Sequence, residues 1–448
     1  MKTKIRLSQC MIVKNEEENI QRALTWGKSI VCEQIVVDTG STDRTVEIAE
    51  EMGAKVFRFE WIDDFAAAKN FAIEQATGNW IAFLDADEYF QEDDVTKIIP
   101  LLVQIEEQRK KLKIPLIVRA SLANLDDEGK IASMASHARL FSNDPRLRYH
   151  KRIHEHLLVS GNQAPSSIDA SNQFIIYHTG YSWKAYEKTH KLERNITLLE
   201  KEVEQDPENY ELWAYLGDSL MADKQVKRAE EVYNVVVDHI ETISLQERVD
   251  MVFSNLIKLK YYSRVMNEEE VMDVYRKAVK SNCMSPDIEY WLGRWMLDQE
   301  KVQQGISYLE LALNRIDQYK KDGVLDMAGD LSYIYGKLFY AHKSLGHIQD
   351  AVRYGTLYLR IEPYGEEIII ELIQLFKGGE ETKEATDAIL GFLSKLYDLL
   401  QAKNKLYLIR VCHKMRYKNL ENKISELLTV KEQEFINENK IKFFGDSF

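Results

Sequence analysis

The chain has 448 residues, of which 45% are hydrophobic and 29% charged, with only 7 prolines and 20 glycines. That length exceeds what one hydrophobic core serves, predicts two or three domains, and leaves little room for disordered linkers. A formal charge of −13 argues against a nucleic-acid partner, whose binding rests on basic patches, but not against a small anionic ligand held by local groups. The basic start, MKTKIRLSQCMIV, is interrupted by Ser8 and Gln9 and has no small-residue cleavage site, so no signal peptide is expected. No uncharged apolar run approaches about 18 residues, so no membrane span is predicted. Cys10, Cys32, Cys283 and Cys412 are scattered without metal-ligand spacing, which fits free thiols in a reducing cytoplasm.

Up to about residue 180 short apolar runs alternate with helical patterns. Leu7 to Val13, Ile35 to Val37, Lys55 to Phe59 and Trp80 to Leu84 read as strands. Between them Glu17 to Ser29, Thr42 to Met52 and Phe65 to Ala76 read as amphipathic helices. The alternation predicts an α/β domain with a parallel sheet. Gly53 and Gly78, just past two helical patterns, are expected to be left-handed caps. Further on, SLANLDDEGKIASMASHARLF reads as a polar hairpin turning at Asp126 to Gly129, and Phe174 to Tyr177 as a strand ending in His178.

From about residue 185 the pattern is helical throughout. Trp213, Leu216, Gly217, Leu220, Ala229, Tyr233 and Val236 match the tetratricopeptide spacing, in which small residues let paired helices pack closely. Val271, Tyr275 and Ala278 recur as Gly305, Leu309 and Ala312, and a degenerate copy holds Ala341, Ala351 and Pro363. An unrelated helical bundle is the bland alternative. The expected organisation is a catalytic α/β domain at 1–185, helical repeats at 186–375 and a helical segment at 376–448. The repeats are read as a docking or homodimerisation surface.

Two polar clusters fall at predicted strand ends, where open sheets of this kind bind ligands. Asp85-Ala86-Asp87 follows the apolar run Trp80 to Leu84. If the strand continues, its pleat sets both carboxylates on one side, facing one divalent cation. The plainer reading is a capped strand end. The second cluster, VVDTGSTD, offers Asp38 to a base or ribose, with Gly40 in a tight turn and Ser41 or Thr42 as helix caps. Ordinary capping explains Asp43 well and Asp38 less well.

Taken together, MIVKNEEENI, IVVDTGSTDRT and AAAKNFAIEQATGNWIAFLDADE resemble the nucleotide-binding half of family 2 glycosyltransferases with the GT-A fold. The resemblance implies a UDP-sugar donor, Mg2+ or Mn2+, and inversion by a single displacement. It places Asp38 on the nucleobase and Asp85 on the ribose or a metal-bound water, with Val13, Asn15 and Lys69 also at the donor. Asp87 and His178 would hold the metal, with Asp85 close to it. Lys69 stands where the family commonly has arginine, and a lysine lacks the bidentate fork. RLFSNDPRLRYHKRIHEHL and IIYHTGYSWKAY resemble a bacterial subgroup that joins this domain to tetratricopeptide-like helices. Some of its members are glycocin S-glycosyltransferases, which put sugar on a cysteine of a bacteriocin precursor peptide. Glu155, beside His154, is then the candidate catalytic base. A family 2 enzyme acting on a cell-surface glycan or lipid-linked precursor is the runner-up, and a non-catalytic repeat scaffold the third reading.

Overall fold

The computed structural model describes residues 4–160, 163–179, 191–263, 267–319, 325–376 and 382–438. They fall into two compact units, one running to Leu259 and the other from Lys260 onward. The expected boundary at 185/186, and all of GYSWKAY, lie outside the described residues.

The first unit opens with β1 (Leu7–Val13), α1 (Ile20–Gly27), β2 (Val31–Asp38), α2 (Thr45–Glu51), β3 (Lys55–Arg58), α3 (Phe65–Glu74) and β4 (Trp80–Phe83). The strand pairs β3–β2, β2–β1 and β1–β4 are all parallel. The expected α/β alternation is therefore present, with α1, α2 and α3 shorter than their sequence patterns by five, four and two residues. Next come β5 (Glu88–Phe90), α4 (Glu92–Leu112), β6 (Leu116–Leu125), β7 (Ile131–Ser142), β8 (Leu147–His150), β9 (His156–Val159), β10 (Ser166–Asp169) and β11 (Ile175–His178). Beyond β4 the sheet continues β7-β6-β11-β5, with β10 beside β6; β7 runs antiparallel to β4 and β6. The expected hairpin is β6–β7, closed by the Gly129 N–H donating to the Asp126 carbonyl at 3.0 Å, with Gly129 at φ 76°. β8 and β9 form a separate two-stranded sheet.

Central β1 is buried along almost its whole length, including Ser8 and Gln9. Buried polar groups need partners, and these stitch the sheet to its helices. The Gln9 side chain donates to the Ala23 carbonyl at 2.7 Å and accepts from Gln34 at 2.7 Å. Trp80 donates to buried Glu106 of α4 at 2.8 Å, fixing the strand that leads to the acidic cluster. Gly53 is left-handed as expected, at φ 86°. Gly78 is not: it is required by close approach, since a Cβ there would lie 2.5 Å from the Arg6 carbonyl. Cys10, Cys283 and Cys412 are buried, whereas Cys32, at the amino end of β2, is exposed.

The unit continues with α5 (Lys191–Gln205), α6 (Tyr210–Ala222) and α7 (Val226–Asp238), and α8 (Gln246–Ser263) begins within it. The repeat spacing has a physical cause here, because a Cβ on Gly217 would meet the Tyr233 ring at 2.7 Å. In the second unit Pro286–Asp298 packs on Val302–Ile316 the same way, with Gly293 against Leu309. No helix among the described residues is long and apolar enough to cross a membrane.

Candidate active site

The carboxyl ends of β1 and β2, and the residues following β4, open onto a cleft of about 460 Å³. Ile12 and Val13 of β1, Thr39 just past β2, and Asp85, Ala86 and Asp87 beyond β4 line it. The two aspartates do not ride on a continuing strand, as the pleat argument expected. β4 ends at Phe83 and the chain turns, with the Glu88 N–H donating to the Asp85 carbonyl at 3.0 Å. Both carboxylates still reach the cleft, but each has its own neighbours.

Asp85 is clamped by cations. Its Oδ1 lies 3.7 Å from Lys69 Nζ and its Oδ2 3.3 Å from Arg139. Arg139 also grips Glu88 with two bonds, at 2.8 and 2.6 Å. Burial works against the Arg139 charge, but Glu88 and Asp85 more than offset it and hold the guanidinium protonated. Arg139 enters from β7, 51 residues beyond Glu88 in sequence, and sequence reading missed it. The only hint was a basic residue inside an otherwise apolar strand end, HARLF.

Asp87 faces a histidine. β11 pairs with β5 and β6 so that His178 stands opposite Glu88 and Asn124. Its Nε2 lies 3.3 Å from Asp87 Oδ2, and its Nδ1 2.7 Å from Asn124 Oδ1. With that amide oxygen as acceptor, Nδ1 carries a proton and Nε2 is turned toward Asp87, the orientation that metal-binding histidines adopt. Burial opposes the charged imidazole, but the Asp87 hydrogen bond and the charges of Asp87, Glu88 and Asp85 raise its pKa overall. Asp87 and His178 therefore suit two positions around a divalent cation. Among the described residues no group of three or more His, Cys, Asp or Glu is arranged to hold one unaided.

Lys69 is buried on α3, its ammonium 2.6 Å from Glu155 and near the faces of Phe83 and Tyr149. Burial alone would lower its pKa, yet Asp85 and Glu155 raise it above the ordinary lysine range. The lysine thus ties the acidic turn to the loop bearing Glu155. His154, next to it, stacks on Tyr215 of α6 with ring centroids 3.9 Å apart. Both Glu155 and His154 line the cleft.

Asp38 and Asn15 work inside their loops. Asp38 accepts from the Ser41 and Gly40 N–H groups at 3.0 and 3.3 Å, and neither it nor Asn15 is among the residues lining the cleft. Asn15, left-handed at φ 57°, accepts from the Thr42 N–H at 2.7 Å. The helix start also differs from expectation: α2 begins at Thr45, whose N–H is accepted by Asp43 at 3.0 Å, rather than behind Ser41 or Thr42. Other lining residues had no sequence signal: Trp61, Phe65, Arg194, Asn195 and His137. Burial, with Arg139 and Arg119 nearby, holds the His137 pKa down at about 4.

A parallel-led sheet with its cleft at the strand ends and an acidic turn there define an α/β domain like those of GT-A glycosyltransferases, followed in the chain by a helical region. Residues 8–108 match the model of glycosyl transferase family 2, so the chain carries a domain of that family. Over 230 residues it is 35% identical to a TPR repeat-containing protein of Synechococcus elongatus, covering 50% of this chain and 55% of that one. Over 212 residues it is 27% identical to the SPbeta prophage-derived glycosyltransferase SunS of Bacillus subtilis, covering 47% of this chain and 48% of that one. The chain thus spans about half the length of these curated relatives. Among solved structures, S. aureus TarS 1-349 in complex with UDP-GlcNAc aligns over 62% of this chain and 90% of that one, at 15% identity and a TM-score of 0.34.

Proposed function

We propose that the protein is an inverting, metal-dependent glycosyltransferase that moves a hexose from a UDP-sugar to a cysteine or serine side chain of a peptide. The observation that carries this reading is the Asp85–Asp87 turn, set in the cleft of a family 2 domain with His178 oriented onto Asp87 by Asn124. Asp87 and His178 would hold Mg2+ or Mn2+, with oxygen ligands from outside the protein needed to complete its shell. Bound there, the cation supplies charge neutralisation for the departing diphosphate.

The chain's own residues do the remaining work. Arg139 and Lys69 pair with the Asp85 carboxylate and hold it at the cleft. Asp38 and Asn15 fix the loops that shape the end assigned to the nucleobase. Glu155, held through Oε1 by Lys69, takes the acceptor proton. A thiol, with a reference pKa of about 8.5, needs little such help. The peptide acceptor is supported by the likeness of the segments around His154 and His178 to glycocin S-glycosyltransferases.

The test is incubation with a panel of UDP-sugars and cysteine- or serine-containing peptides, with Mn2+, Mg2+ or chelator, followed by weighing the products. The expected result is metal-dependent UDP release with a mass gain of one hexose on the peptide. Asp87→Asn should lower the rate on the order of a hundredfold or more, about 3 kcal/mol of barrier. No UDP release from any donor would overturn the reading. Pyrophosphate release from a nucleoside triphosphate would indicate a nucleotidyltransferase instead, and transfer only to a glycan or lipid-linked sugar would replace the peptide acceptor.

A further inference from the structure

We propose that Tyr215 and Arg248, carried by the helices that follow the sheet, are positioning residues that hold the Glu155 loop in its working conformation. The inference rests on the assignment of Glu155 to the acceptor proton.

Residues 151–155 connect β8 to β9, which pair up to His150 and His156. Lys151 and His154 are both left-handed, at φ 73° and 53°. For residues with a Cβ that conformation is unfavourable, and it persists where surrounding structure imposes it. The imposing contacts come from α5, α6 and α8. Lys151 reaches Glu211 of α6 at 3.4 Å, and Arg152 reaches Glu202 of α5 at 3.5 Å. The Phe65 N–H donates to the Arg152 carbonyl at 2.9 Å.

The most specific contact is at His154, immediately before Glu155. Its ring lies nearly parallel to that of Tyr215, at 13° and 3.9 Å. The Arg248 guanidinium sits 4.0 Å from the centroid of the same tyrosine. Arg248 is itself fixed by an ion pair to Asp218, which also accepts from Tyr233 and, at 3.2 Å, from Asn255. Stacking on an aromatic face backed by a cation is directional, so the chain Asp218–Arg248–Tyr215–His154 sets the plane of one ring at the cleft wall. With Lys69 holding the Glu155 carboxylate at 2.6 Å, the loop is gripped at both its backbone and its tip. The first repeat-like helices then position a residue at the cleft.

The test uses the full-length protein as wild type, Tyr215→Phe, Tyr215→Leu and Arg248→Gln, with two readouts. One is trypsin cleavage after Lys151 or Arg152, timed against cleavage after Lys130 in the exposed β6–β7 turn. The other is kcat and KM for peptide transfer. Tyr215→Phe keeps the ring face and loses only the hydroxyl beside Arg248, so it should change both readouts far less than Tyr215→Leu. Tyr215→Leu should speed loop cleavage about tenfold and lower kcat roughly tenfold or more, with KM for the UDP-sugar unchanged. Arg248→Gln should move both the same way by less. A Tyr215→Leu loop cut no faster than wild type, or one cut faster with kcat intact, overturns the proposal. Should Tyr215→Leu be cut throughout the chain, Arg248→Gln decides by the same two readings. If wild type turns over no UDP-sugar, the assigned reaction fails, and the trypsin comparison alone decides whether the stack holds the loop.

Discussion

Replacing Lys69 by methionine keeps the side-chain length and removes the charge. Lys69 is 3% exposed and serves two carboxylates, at 2.6 Å in Glu155 and 3.7 Å in Asp85. Breaking a buried ion pair from one side leaves the other charge uncompensated, at about 3–5 kcal/mol. Asp85 retains Arg139 at 3.3 Å, so the lower end, about 3 kcal/mol, applies. For a unit of this size that is a fall of about 6–12 °C in Tm. Calorimetry suits the measurement, with the first unit's transition followed apart from the second. The pH dependence is also fixed in sign. The folded pKa of Lys69 is raised, so its stabilisation is fully present below the unfolded value near ~10.4 and lost only as pH rises through the folded one. The deficit of Lys69→Met should thus be the same at about pH 6.5 and pH 8.5. A variant melting within about 2 °C of wild type would refute the buried-bridge account. Lys69→Arg keeps the charge and should lose less, limited by crowding against Phe83 and Tyr149.

Glu155→Gln should leave much of the transfer to cysteine peptides while reducing transfer to serine peptides roughly a hundredfold; wild-type rates on both acceptors would remove Glu155 from the role. His137, held at about 4, contributes stability that is complete above the ordinary histidine value near ~6.5 and lost as pH falls toward its folded value. His137→Gln should accordingly lose less Tm than wild type between about pH 7 and pH 4.5, read by thermal melts. Gly217→Ala should destabilise by about 1–3 kcal/mol, because the new methyl would meet the Tyr233 ring at 2.7 Å; this outweighs alanine's better helix propensity of about 1 kcal/mol.

Local signals in the sequence marked the sheet well. β1 was legible to the residue because its apolar run resumes past Ser8 and Gln9 up to Val13, and β4 because an apolar run ends at Asp85. Asp85, Asp87 and His178, at or just past the ends of apolar runs, meet at one cleft, and Glu155 joins them from a loop that carries no such local signal. What the sequence could not show was pairing across long separations. Arg139 and Asn124 acquire their roles only when β6 and β7 lie beside β4 and β11. Tyr215 was read as part of a repeat, and nothing local to it marks His154 as its partner. The acidic turn was misread for a related reason: alternation in a strand and reversal in a turn bring the same two carboxylates forward, and D-A-D alone does not separate them.

The placement of the cysteines bears on an enzyme proposed to put sugar on thiols. Three of them are sealed in the interior, and the fourth, Cys32, sits at the amino end of β2, across the sheet from the strand ends that form the cleft. Self-glycosylation is thereby disfavoured, and the same residue offers a single attachment point for a fluorescent reporter that leaves the working face of the molecule unobstructed.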